Sequence, residues 1–449
     1  MTISRRSLLG APLAMALAVP APVRAARSRR VAVIGAGMSG LACARRLAAA
    51  GAETIVLEAR DRIGGRIRTD RRWSGLPVDL GASWIHGVTG NPVAALAREA
   101  GARHVATSYE ASIAYGPGGD AVDIDADVAR MEAFVGQARE VAGDLEKDVS
   151  LKAAIEAHPR YPGLPADARA ILDHVVQAQY ELEYAGDRSE LSAWSLDEDS
   201  GFAGADALLP EGYDAVPAWL ARGLDIRLGA VVTAVSLSGK GTMVRLADGQ
   251  VVYADRIVVT APLGVLKEGS IAFEPGLPRG HREAIERLGF GVLEKCCLRF
   301  DRPFWPRDVD WIEFVSGRRG EWAEWFSHAR APGAPLLVGF QGGNAARALA
   351  ALDDRAIVDA ALGALRAMFG SDVPAPAGSI VTRWAADPFS LGAYSFNAVG
   401  SDGAMRRALA EPVDGRLFFA GEATSADHFA TTHGAYLSGL AAADRVLAA

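Results

Sequence analysis

Glycines 35, 37 and 40 stand between an apolar run, RVAVIGAG from Arg30, and a helical pattern, MSGLACARRLAAAG from Met38. The triplet G-x-G-x-x-G at a strand-to-helix junction suits phosphate chemistry. Gly35 permits the tight turn, Gly37 lets backbone approach a pyrophosphate, and Gly40 packs helix on strand. The helix start offers unpaired N–H groups and the positive end of its dipole to the phosphates. Glu58 closes the next strand, ETIVLEAR, 23 residues after Gly35, where a carboxylate can accept both hydroxyls of an adenosine ribose. Strand, triplet, helix, strand and acid in this order predict a bound dinucleotide.

Other candidates carry no chemistry by type alone. A lysine on a strand, such as Lys295, is usually solvated. A lone histidine such as His86 is more often structural, and Tyr394, Tyr436 and Trp384 bury well as core residues. Glu183, Asp197 and Asp199 read first as solvated acids of a helical region. Composition narrows the field: 54 acids against 47 bases give a net charge of −7, which speaks against a nucleic-acid partner and suits a cationic substrate. The three cysteines, Cys43, Cys296 and Cys297, offer neither a disulfide framework nor metal-ligand spacing, so no metal is expected.

The first 25 residues, MTISRRSLLGAPLAMALAVPAPVRA, read as a targeting segment: a positive start, an apolar run from Leu8 to Val19 too short to span a bilayer, and a small-residue cleavage site at Ala25. Ser4-Arg5-Arg6-Ser7-Leu8-Leu9 resembles the twin-arginine signal, whose route carries folded proteins. The expectation is export through the twin-arginine translocase to the periplasm or beyond, with a plain Sec signal as the alternative reading and no stable membrane anchor after cleavage. Removing Arg5, Arg6 and Arg24 leaves 44 bases against 54 acids, a mature charge of −10.

Along the mature chain, residues 121–184 read as mostly helical, with Ile171, Val175, Ala178 and Leu182 at helical spacing. Strands follow from Asp225, with a hairpin turn at Asp248-Gly249, and a mixed region runs from Leu293 to Thr382. The end returns to a strand, GRLFFAG, and a helix from about His433 to Leu447. Dinucleotide-type sequence at both ends predicts an α/β fold with one cofactor domain assembled from separated segments.

LEARDRIGGRIRT (Leu57 to Thr69), VDLGASWIHGVTGNP (Val78 to Pro92), GRLFFAGEATS and TTHGAYLSG resemble the flavin-containing amine oxidase superfamily, most of all its polyamine oxidases. The resemblance implies FAD, held by a Rossmann-like domain of residues 27–95, 205–290 and 395–449, beside an α+β substrate-binding domain of 96–204 and 291–394. Glu58, Ala59 and Arg60 would lie at the ribose, Gly64 and Gly65 near the flavin, and Arg66 at the pyrophosphate. Gly81, Ala82, Ser83 and Trp84 would follow the isoalloxazine edge. Val232 would meet the adenine end, Gly421 and Glu422 the ribityl or phosphate region, and Thr431 and Thr432 would begin a helix aimed at the pyrimidine ring. Monoamine oxidases attach FAD through a cysteine where this chain has Ala393, so a non-covalent cofactor is expected.

The same resemblance assigns the substrate side. Lys295, in GFGVLEKCCLRF, matches a lysine that holds a water against flavin N5. Tyr394 and Tyr436 would form two walls of an aromatic slot, with Trp384 as a weaker third member. His86 would face the substrate, and Glu183 would meet its remote charge. The implied reaction is hydride transfer from the carbon beside an uncharged nitrogen to the flavin, hydrolysis of the imine, and reoxidation by O2 to H2O2. The rivals are an L-amino-acid or monoamine oxidase on the same fold, which would need an arginine such as Arg299 or Arg383 facing a carboxylate, a desaturase with a broad apolar tunnel, and a redox-silent FAD-binding module.

Overall fold

The computed structural model describes residues 29–197, 200–238 and 241–449. The expected export signal and Asp199 lie outside the described residues.

A parallel sheet of five strands runs in the order Asp225–Arg227, Glu53–Leu57, Arg30–Ile34, Arg256–Val259, Leu417–Phe419. Period-two alternation divides its strands between two cores. Val31, Val33, Val56, Val258 and Phe418 face one way, into a cluster shared with the helices Met38–Ala49 and Thr432–Ala448. Ala32, Ile34, Ile55, Ile257 and Phe419 face the other way, onto a four-stranded sheet built around Val232–Ser238. The two helices pack closely because position 439 is glycine: a Cβ there would lie 2.2 Å from the Ser39 carbonyl oxygen. The first helix stops at Ala49, and Gly51 supplies the left-handed φ of +84° that turns the chain into the next strand.

A second sheet of seven strands runs Gly378–Val381, Leu293–Arg299, Leu336–Gly342, Glu324–Ser327, Trp311–Phe314, Ser112–Tyr115, Ala121–Val122. The helix Asp354–Phe369 packs Ile357, Ala361, Leu365 and Met368 against it. Helices Asp125–Gly143, Leu151–Ala157 and Ala166–Val176 form a separate layer. Here the structure corrects the sequence reading in detail. Ala121 and Val122 form a strand, the helix begins at Asp125, and the last turn, Gln177–Leu182, widens to π geometry. No helix among the described residues is long and apolar enough to cross a membrane.

Candidate active site

A cavity of about 1220 Å³ runs from the carboxyl ends of the parallel strands to the seven-stranded sheet. The crevice at such strand ends is where open α/β sheets take their ligands.

At the strand-end half, Gly35 adopts φ +105° and Gly37 caps the helix Met38–Ala49 with no side-chain partner, leaving its first N–H groups free. Gly40 packs inside the turn, since a Cβ there would meet the Gly35 carbonyl oxygen at 2.0 Å. Space above Gly37 is open, with Gly65 Cα the nearest atom at 4.0 Å from a built Cβ. The buried Glu58 accepts from the N–H of Ala36 (2.6 Å) and of Arg60 (2.9 Å), so its carboxylate is fixed in place. Ala59, Gly64 and Val232 line the same stretch, and Arg60 is locked by two bonds to Asp387 and one to Ser390. An open glycine turn, a bare helix N-terminus and a fixed acid at the second strand end fit the adenosine and pyrophosphate of FAD.

In the middle, Arg66 Nη1 donates to the Ala393 carbonyl (2.7 Å) and to Glu422 (2.9 Å). Glu422 also accepts from the Ser395 hydroxyl (2.5 Å) and Ala430 N–H (3.0 Å). Burial opposes its charge, but Arg66, Ser395 and Arg406 outweigh that and hold its pKa below the usual glutamate value. Thr431 caps the C-terminal helix by accepting from Gly434 N–H (2.9 Å), while Thr432 pairs with the Tyr213 hydroxyl (2.8 Å). Gly421, Thr431 and Thr432 all line the cavity.

At the far half, Lys295 is buried on the strand Leu293–Arg299, and its ammonium donates to the carbonyls of Gly81 (2.7 Å) and Asp79 (3.2 Å) and to Ser83 Oγ (2.7 Å). Burial lowers its pKa to about 8. Trp384 donates to the Leu80 carbonyl (2.9 Å) and, with Arg66, lies against Gly81, where any Cβ would clash. Trp84, Trp311 and Tyr109 form a ladder of stacked rings at 5.6 and 4.9 Å. The indole N–H groups of Trp84 and Trp311 are buried without a partner among the described residues, so the wall keeps donors for a ligand.

Sequence reasoning missed most of the acids here. Glu313 and Glu324 sit directly opposite each other on neighbouring antiparallel strands and both line the cavity with Glu183. Facing carboxylates repel; burial first, then Glu313 and Glu183, push the Glu324 carboxyl up to about 8. His86 Nδ1 lies 2.8 Å from Asp206, with the side chain 52% exposed. Partial desolvation favours neutral imidazole, but Asp206 and then Glu183 outweigh it and raise the pKa. Glu313 meets Glu324 through strand register, and Asp206 meets His86 across 120 positions, relations that no short motif records.

One expected wall is absent. Tyr394 lines the cavity, its hydroxyl donating to the Leu182 carbonyl (2.8 Å) that the π-helical turn leaves at its end. Tyr436 does not line it. Its partly buried ring packs against the core cluster that the C-terminal helix shares with Met38–Ala49, while Ala435, one position earlier and about 100° around the helix, faces the cavity. Tyr184 and Phe429, stacked at 6.3 Å, supply a further aromatic face of the cavity. Asp197 is also away from the cavity, paired with Arg139. Arg383 binds Asp354 and two helix-end carbonyls, and Arg299 bonds the Ala377 carbonyl; neither lines the cavity.

A model of the family described as flavin containing amine oxidoreductase matches residues 38–447. Polyamine oxidase 4 of Oryza sativa subsp. japonica is 37% identical over 433 residues, covering 92% of this chain and 88% of that protein. Polyamine oxidase 2 of Arabidopsis thaliana is 36% identical, covering 93% and 88%. Lysine-specific histone demethylase 1 homolog 3 of Oryza sativa subsp. japonica is 37% identical, and the chain spans 54% of its length. A solved putrescine oxidase double mutant superposes with a TM-score of 0.73 at 22% identity, covering 94% of this chain and 99% of that one, a likeness of fold.

Proposed function

Because the chain belongs to the flavin-containing amine oxidoreductase family and is an FAD-dependent amine oxidase, we propose that its substrate is a polyamine such as spermine, spermidine or an acetylated form. FAD, when bound, accepts the hydride equivalent from the carbon next to the reacting nitrogen, and O2 serves as the final acceptor.

The observation that carries the substrate class is the acidic chamber. Glu183, Glu313, Glu324 and the Asp206–His86 pair border its aromatic walls. Among the described residues the arginines lining the cavity are Arg60 and Arg66, both paired with acids in the strand-end half. An amino-acid substrate needs a cation for its carboxylate; a polyamine needs carboxylates for its distal ammonium groups. In this reading His86, held by Asp206, bonds or takes a proton from an amine, and Tyr394, Tyr184 and Phe429 orient the apolar stem. Lys295 places positive charge where reduction of O2 develops negative charge. Glu58, Arg66 and the glycine turns hold the cofactor in the FAD-binding segments named above.

A peroxide-release screen over polyamines, monoamines and amino acids tests this reading. Higher kcat/KM for spermidine or spermine than for benzylamine or any amino acid supports it, and the reverse order removes the polyamine assignment.

We further propose twin-arginine export to the periplasm, supported by Arg5 and Arg6 beside a short apolar run. Replacing both with lysine should retain the FAD-loaded protein in the cytoplasm; undiminished export would contradict the route.

A further inference from the structure

A second cavity, of about 590 Å³, reaches Lys295 from another direction. Ser83, Trp84 and Lys295 line both cavities, and the remaining walls are not shared. At its outer end lie the exposed Gly75, Arg103 and Gly333; at its inner end lie the buried Val78, Leu208 and Val338. It therefore leads from solvent to the buried amine without crossing the acidic chamber.

We propose that this second cavity is a separate access port for dioxygen, delivering it to the Lys295 end of the FAD site while the chamber is occupied by amine or product. Dioxygen takes two electrons and two protons from reduced FAD and leaves as hydrogen peroxide, so no further reactant is required. A small neutral molecule needs apolar walls rather than a charged groove, which the inner end supplies. Lys295, donating to Ser83 and two carbonyls, stands where the two cavities meet and favours the negative charge that grows on oxygen. His328 lines the same cavity with a buried Nδ1 that has no partner among the described residues, a hydrogen-bonding point for departing peroxide. In a chamber shared by both substrates, reoxidation would have to wait for product release; a second port separates the two half-reactions.

The test is a reversible plug. Ala334 lines the port, and the native Cys43, Cys296 and Cys297 are all buried, so Ala334→Cys in the FAD-loaded enzyme presents a single reachable thiol. Benzyl methanethiosulfonate should add one benzylthio group, read by mass spectrometry, and a thiol reductant should remove it. With the plug in place, reoxidation of dithionite-reduced enzyme by O2 should slow by about tenfold or more, and recover on unplugging. Anaerobic flavin bleaching by amine should not change. Failure to label, an unchanged reoxidation rate, or equal slowing of both half-reactions would each overturn the proposal. Because dithionite supplies the electrons, the result does not depend on which amine is the substrate.

Discussion

The ammonium of Lys295 lies 2.7 Å from Ser83 Oγ, a bond between two residues 212 positions apart that ties the seven-stranded sheet to the loop following Asp79. A buried amine so held is a placed charge rather than a solvated side chain. Lys295→Met should keep FAD bound, because none of the residues at the glycine turn is touched. Reoxidation by O2 should fall by roughly 10²-fold, the scale for losing one group aimed at developing charge. Stopped-flow spectra of the two half-reactions check this, and unaltered rates in both would return Lys295 to a structural role.

The two tyrosines should behave differently. Tyr394→Ala removes a cavity wall and the bond to the Leu182 carbonyl, and should lower kcat/KM for the amine by about tenfold or more. Tyr436→Phe alters a residue packed against the core away from the cavity lining and should stay within about twofold of the parent, as uniform binding and chemistry are untouched. Equal losses would restore the two-tyrosine slot.

That contrast shows what could be read from the residues. The glycine turn, Glu58 and both terminal segments were legible because the chemistry there is local: strand, turn and helix follow one another within about one motif, and each glycine has its own steric reason. The α/β fold with a split parallel sheet follows from the continuous apolar runs in Arg30–Ile34, Glu53–Leu57 and Leu417–Phe419, the mark of strands covered on both faces. The chamber was not legible. Glu313 and Glu324 become neighbours through strand register, and Asp206 reaches His86 across 120 positions. Tyr436 was misplaced because its motif gives the helix but not the rotation: one residue moves a side chain about 100° around the axis.

Glu324 provides a test by pH. Its carboxyl is raised from 4.5 to about 8, so its neutral form stabilises the fold fully below the unfolded value, and that contribution is lost as pH rises through about 8. Glu324→Gln removes this dependence. The variant should melt close to the parent at pH 5 and above it at pH 8, by on the order of 2 kcal/mol after allowance for solvent contact. Thermal melts at the two values decide, and a parent that gains on the variant as pH rises would contradict the assignment.

The cofactor should come away intact. Ala393 lies in the cavity wall and offers no thiol, so acid denaturation should release all the yellow colour as free FAD. Flavin that stays with the precipitated chain would show a covalent link elsewhere.

The most direct measurement of the central claim is anaerobic flavin bleaching by spermidine and by benzylamine, at low and high ionic strength, in the parent and in Glu183→Gln. If the acidic chamber binds the distal charges of a polyamine, spermidine should reduce the flavin with the larger second-order constant. Salt should weaken that constant more than the one for benzylamine, since screening acts on each charge. The substitution should also cost spermidine more than benzylamine. A larger constant for benzylamine, with equal salt dependence and an equal effect of the substitution, would contradict the polyamine account and leave an amine oxidase of another specificity.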